Sequence, residues 1–219
     1  KVETPVIRER MVSHLLNIDE SLASKVAAAL GIHPMPKPAQ AAVETRQDLE
    51  PSPALSIVER GPRRFEGRKL GILVTEGTDR DLFNALEAGI AKHKAGIEVI
   101  APKVGGVLMS DGSPLAAQQM IDGGPSVLYD AVVVLASPAG IDDLMQEAAA
   151  RDFVADAFAH CKFIGYSAPA LALIEKAGIA EDLDEGTVEI AAADDVADFL
   201  EKLGAVRVWA REPSVKLSS

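Results

Sequence analysis

The sequence predicts an α/β fold, a doubly wound parallel sheet preceded by a short two-helix segment and a long linker. Three observations lead there. Two continuous apolar runs, Leu70–Val74 and Ala131–Ala136, have the character of strands buried on both faces. Helical stripes alternate with them, which calls for helices on either side of a parallel sheet. A proline-studded stretch without periodicity separates this pattern from a pair of amphipathic helices near the start.

The elements follow in order. From Glu3 the first helical pattern places Ile7, Met11 and Leu15 on one stripe, with Val12 and Leu16 beside it. The second opens on an Asn17/Asp19 cap, runs Leu22, Val26 and Leu30 along one face, and stops at Gly31. Nothing in the chain is obviously built to receive these stripes. The chain starts at Lys1, and residues 1–31 are expected to be the tail of another domain. The linker, 32–66, begins with His33-Pro34-Met35-Pro36-Lys37-Pro38, which forbids a helix and favours extended polyproline geometry. Within it, Leu55-Ser56-Ile57-Val58 is expected to lie against a surface. The α/β domain, 67–219, then gives strand Leu70–Val74, a helix over Asp79–Lys94 ending at Gly96, and strand Ile97–Ala101. Val107–Ser110 before Asp111-Gly112 reads as half of a hairpin. After the clearest strand, at Ala131, come a helical pattern Ile141–His160, strand Phe163–Tyr166, and helices Pro169–Lys176 and Asp194–Leu203.

Composition narrows the function. The chain has 219 residues, is 48% hydrophobic and carries a formal charge of −11. Such acidity repels phosphate backbones and anionic membranes, so neither nucleic acid nor membrane is expected as a partner. No run is long and apolar enough to span a bilayer and no signal-peptide pattern opens the chain, so a cytoplasmic location is the expectation. Aromatics are only 4%, too few for a stacking platform. The lone cysteine, Cys161, excludes an internal disulfide and falls on the apolar stripe of the helix before it, which makes it a small buried hydrophobe.

In open parallel sheets ligands bind at the carboxyl ends of the strands. Glu76, Ser137 and Ser167 occupy those positions. Gly165-Tyr166-Ser167-Ala168-Pro169 nearly spells a nucleophile elbow, yet no histidine follows Ser167 to act as its base. Thr75-Glu76-Gly77-Thr78-Asp79 has the place of a phosphate loop but fills it with negative charge, and no dinucleotide or P-loop fingerprint occurs. Glu76 is read as a helix-start carboxylate before it is read as a general base. No histidine pair shares a helix face, and the acidic run Glu181–Glu185 reads as a solvated loop, so no metal site is expected.

The segment ETPVIRERMVSHLLNIDESLASKVAAALGI resembles the last helices of the haem-containing core of large-subunit catalases. PSPALSIV and then GRKLGILVTEGTD resemble their linker and the start of their extra C-terminal domain. That domain is similar to the flavodoxin-like DJ-1/PfpI (class I glutamine amidotransferase-like) superfamily. The resemblance implies a parent enzyme that disproportionates hydrogen peroxide at haem, with a distal histidine and asparagine and a proximal tyrosine upstream of this chain. The R-x-F-x-Y ligand motif is missing here, so this part is expected to hold no haem or other cofactor. Active DJ-1/PfpI relatives use a glutamate after the first strand to support an elbow cysteine. Glu76 matches the glutamate, but Ile164-Gly165-Tyr166-Ser167 has no cysteine. Glu76, Ser137, Tyr166 and Ser167 then line a vestigial cleft with no catalytic residue. The implied role is a non-catalytic domain that stabilises the enzyme and acts as a chaperone. Its partners would be the catalase core, neighbouring subunits of a homotetramer, and unfolded clients. The alternative is residual hydrolase or glyoxalase-like activity through Glu76 and Ser167.

Overall fold

The computed structural model describes residues 2–46 and 48–215. The chain divides into two units, Lys1–Leu55 and Ser56–Ser219.

The first unit is a helical hairpin. Helix α1 (Pro5–Leu15) starts on a proline, which has no amide hydrogen to leave unpaired there. Helix α2 (Glu20–Leu30) is capped by Asp19, whose Oδ1 accepts from the Leu22 amide at 2.7 Å. Gly31 takes the left-handed conformation at φ 64°, and the amides of Gly31 and Ile32 return to the carbonyls of Ala28 and Ala27. The buried contact is made by Val12, Ala23 and Ala27, with Leu15, Leu16, Val26 and Ile32 at its margin. Ile7, Met11 and Leu22 find no receiver among the described residues, in keeping with the sequence reading, while Leu15 and Val26 reach the margin of the contact. Ile7 and Met11 are 50% and 56% exposed, and Leu22 is 44% exposed. Alanines let two short helices approach closely, and the larger side chains are turned away from that contact. The proline-rich stretch is pinned rather than loose: Ser13 Oγ donates to the Lys37 carbonyl (2.6 Å) and Asn17 Nδ2 to that of Ala39 (2.7 Å). Asn17 therefore serves this stretch, and Asp19 alone caps α2.

The second unit opens with the single turn α3 (Ile57–Arg60), capped by Ser56 Oγ. Leu55–Val58 does not lie against a surface as expected. Leu55 is 84% exposed and Ile57 80%. One helical turn closed by Gly61 presents its side chains outward, so Ile57 and Val58 border a groove without being covered.

The sheet contains β1 (Lys69–Val74), β2 (Gly96–Ala101), β5 (Gln119–Met120), β6 (Ala131–Leu135), β7 (Ile164–Tyr166) and β8 (Thr187–Glu189). Their order is β5-β2-β1-β6-β7-β8, every pair parallel, an arrangement compatible with a flavodoxin-like fold. Strands β3 (Val107–Leu108) and β4 (Pro114–Leu115) form the expected hairpin. Side-chain alternation divides the core in two. Ile72, Val74, Val133 and Leu135 pack with α4 (Arg80–Lys92) and α8 (Ala193–Lys202) through Phe83, Leu86, Phe199 and Leu200. Leu73, Val132 and Val134 pack on the other face with α5 (Ile141–Leu144), α6 (Ala148–Ala159) and α7 (Leu171–Lys176). Gly71 is glycine because the Tyr129 ring lies on it: an added Cβ would stand 2.5 Å from that ring.

Several boundaries differ from the sequence reading. The helix after β1 ends at Lys92, with Lys94 in the left-handed conformation, and Gly96 already belongs to β2. The pattern Ile141–His160 is two helices, α5 and α6, and the Met145 carbonyl at the break accepts from Lys176 Nζ. Cys161 is buried as expected, but in a left-handed turn (φ 55°) past the end of α6 rather than on the helix stripe. The segment after α8 ends in α9 (Glu212–Val215), and Arg211 fastens it. Its guanidinium, 3% exposed, pairs with both Asp184 oxygens at 2.7 Å, donates to the Lys162 carbonyl and stacks 4.0 Å from the Phe158 ring centre. Among the described residues no helix is long and apolar enough to cross a membrane.

Candidate functional site at the strand ends

The order of the sheet reverses between β1 and β6, where a ligand crevice is expected. Hydroxyl groups close this point. Thr78 Oγ1 donates toward the carbonyls of Leu135 (2.7 Å) and Thr75 (2.8 Å), and accepts from the Thr75 amide (3.0 Å). Thr75 Oγ1 accepts from the Ser137 amide at 2.9 Å. Ser137 Oγ donates to the Glu76 carbonyl and accepts from Gly140 N at 3.0 Å. Gly140 sits so close that a Cβ would lie 2.4 Å from that of Thr75. Thr75, Thr78 and Ser137 are buried, so this web joins strand ends and exposes no nucleophile.

Glu76 is exposed, and its Oε2 accepts from the Leu108 amide at 2.9 Å while Lys103 Nζ stands 3.9 Å from Oε1. It braces the β3–β4 hairpin. It is not the helix-start carboxylate of the sequence reading; Asp79 holds that place, with Oδ1 2.9 Å from Leu82 N. Ser167, 8% exposed, donates its hydroxyl to the Ala136 carbonyl at 2.7 Å. A carbonyl cannot take a proton as a base, so the elbow serine is not activated. Tyr166 is packed in the core, and burial, followed by the charge of Glu189, raises its phenol above the ordinary value. The structure thus joins Ser137 to the Glu76 main chain and Ser167 to the strand end beside it, while the Glu76 carboxylate points to other partners.

The cleft at this end holds about 270 Å³ and is bordered by Thr75, Glu76, Lys103, Gly140, Asp143 and Glu147 among others. Ser137, Tyr166 and Ser167 are not among its walls. Three carboxylates against one lysine oppose an anionic ligand, as the sequence suggested. Among the described residues no group of three or more His, Cys, Asp or Glu side chains could hold a metal ion. Haem needs an axial ligand at the wall of an apolar slot. Tyr129 and Tyr166 are 2% and 7% exposed inside the core, His14 and His33 lie on the surface of the helical unit, and His160 Nδ1 is engaged with the Asp156 carbonyl. Among the described residues, these tyrosines and histidines offer haem no such ligand.

Two buried cations escaped sequence reasoning. Besides Arg211, Lys162 is 3% exposed and donates Nζ to the carbonyls of Ser126 (2.5 Å) and Tyr129 (2.6 Å). Burial, helped by nearby Arg207, lowers its ammonium to about 8. Neither residue carries a local pattern that marks it.

Comparison with known proteins gives the context. A family profile described as the C-terminal domain found in long catalases matches residues 66–213. "Catalase C" of Rhizobium meliloti (strain 1021) is 67% identical over 217 residues, which is 99% of this chain and 31% of that protein. "Catalase HPII" of Mycobacterium avium is 34% identical over 96% of the chain, and that of Pseudomonas putida 32% over 99%. The chain spans about a third of the length of these relatives, 31%, 31% and 30% respectively. On that match this chain belongs to the C-terminal domains of long catalases.

Proposed function

We propose that this chain is the non-catalytic C-terminal region of a large-subunit haem catalase that decomposes hydrogen peroxide in the cytoplasm. In this reading the α/β unit is kin to the DJ-1/PfpI domains, with Glu76 in place and the nucleophile gone. Its work is to stabilise the enzyme and to hold unfolding proteins. The exposed apolar side chains of the helical unit carry the second part: Ile7, Met11, Ile18 and Leu22 are between 44% and 67% exposed on a chain of charge −11. A holdase requires that combination of apolar contact surface and charge. In the assembled homotetramer the same stripe would cover the catalase core or a neighbouring subunit.

The experiment is light scattering of a heat-denaturing client with and without the chain, against an equally acidic inert protein. Suppression beyond the control at equimolar ratio is expected. Scattering equal to the control would remove the chaperone part. The stabilising part is tested separately, by deleting the region matching 66–213 from the full-length enzyme and timing its thermal inactivation. An unchanged half-life would remove that part. The Ser167 hydroxyl bonded to the Ala136 carbonyl disfavours residual hydrolase or glyoxalase-like chemistry. Turnover of methylglyoxal that Glu76→Gln abolishes would reinstate it.

A further inference from the structure

A second opening lies well away in sequence from the strand-end residues. It is a groove of about 530 Å³ bordered by Ile57, Val58, Arg63, Lys202, Val206 and Trp209. That volume is in the range of small-molecule sites, which combine apolar walls with a few polar groups. Its charge is opposite to that of the chain. Arg63, Arg68 and Lys202 face one carboxylate, Glu201, giving 3 − 1 = +2 on a chain of net −11. Arg68 is committed to Asp130 and to the Arg64 carbonyl, and Lys202 reaches the Glu185 carbonyl at 3.2 Å. The Arg63 guanidinium has no hydrogen bond or ion pair among the described residues, and neither does the indole N–H of Trp209. Both a planar cationic fork and an aromatic face are thus left open on one groove.

The walls are held in place at a cost. Gly204 packs against the main chain that carries Arg63: an added Cβ would lie 3.1 Å from the Arg63 carbonyl oxygen. Two residues on, Val206 has φ 68° and ψ −41°, and the Arg207 amide bonds to the Ala205 carbonyl at 2.8 Å. This is a γ-turn of the rare, strained hand, at a β-branched residue that disfavours positive φ. Backbone strain of this kind persists where surrounding structure enforces it, and it gathers at ligand sites.

We propose that this groove binds a small planar anion: a flat ring system seated on Trp209, with a phosphate or carboxylate on Arg63. A nucleoside monophosphate and an aromatic carboxylate share that chemistry. The ring would cover apolar wall that water now meets, and the anion would pair with the unpaired Arg63 guanidinium.

Trp209 is the sole tryptophan, so its emission reports occupancy directly. The 219-residue chain is titrated with AMP, benzoate, adenosine and inorganic phosphate, following Trp209 fluorescence and heat. At least one of AMP and benzoate should quench saturably, and which does so tells the phosphate source from the carboxylate source. Adenosine and phosphate alone should bind at least tenfold more weakly. Arg63→Glu should weaken the effective anion at least tenfold, and Arg8→Glu, on the helical unit, should leave it unchanged. Arg63 is exposed and unpaired, so circular dichroism of the variant should match the parent. No saturable binding of either anion, equal binding of adenosine, or indifference to Arg63→Glu would overturn the proposal.

Discussion

The two units of this chain solve the burial problem differently. The α/β unit closes both faces of its sheet with its own helices, and Ile72, Leu73, Val132, Val133 and Val134 have no exposed surface. The helical unit buries Val12, Ala23 and Ala27, and exposes larger apolar side chains than it hides. The first encloses a core on each face of its sheet. The second, at two 11-residue helices, draws its order from caps and backbone bonds more than from a core. The difference separates a self-sufficient domain from a contact element.

Substitutions in each unit sharpen or break that contrast. The largest effect is expected for Arg211→Ala, which leaves Asp184 and two main-chain carbonyls without their cation. The α/β unit should lose about 3–5 kcal/mol by urea unfolding followed at Trp209. Burial pushes the Asp184 carboxyl up, but bonds from Arg211 and Gly186 outweigh it and hold it below the ordinary value. Thr78→Val keeps shape and removes a hydroxyl bonded on three sides; a loss of about 2–3 kcal/mol follows, in the same transition. Asp19→Ala acts on the other unit. It should cost about 1 kcal/mol of helix stability, visible at 222 nm, with the urea midpoint of the Trp209 signal unchanged. If that midpoint moved with Asp19→Ala, the units would share one cooperative transition and the contrast would fail.

Stability of the α/β unit also depends on pH. Lys162 is lowered from its ordinary value of 10.5 to about 8 in the folded chain. Between these values the unfolded chain binds the extra proton, so stability of the α/β unit rises with pH across that window and falls as pH drops back toward 8. The neutral amine still has two hydrogens for the Ser126 and Tyr129 carbonyls. Lys162→Met should flatten this slope while lowering stability overall. An equally steep slope in the variant would assign the titration to another group.

Much of the fold was legible in residues with a local signature. The apolar runs marked β1 and β6, the helical pattern from Asp79 marked α4, and Asp19 and Gly31 marked the ends of α2. Strands β5 and β8 have two and three residues, too short to show periodicity. The break between α5 and α6 has no proline or glycine to mark it, and the Lys176 that bonds the Met145 carbonyl there lies about 30 residues away. At the strand ends, the sequence showed that Ser167 lacks a histidine. That its hydroxyl is bonded to Ala136, and that Glu76 turns to the hairpin, depends on pairings across strands. Arg211 and Lys162 were missed for the same reason, since a lone cation reads as surface until its partners are known.

The register of β1 has a consequence for synthesis. Leu70 pairs with Ala131, so the first strand lacks its central neighbour until 131 − 70 = 61 further residues are made. At roughly 5–20 residues per second a ribosome takes about 3–12 s to supply them. Through that interval Leu70–Val74 can rest only on β2 and α4, half covered, while the nascent chain grows. The carboxylates that follow it, Glu76, Asp79 and Asp81, then keep neighbouring nascent chains apart, so their charge protects the strand before the fold does.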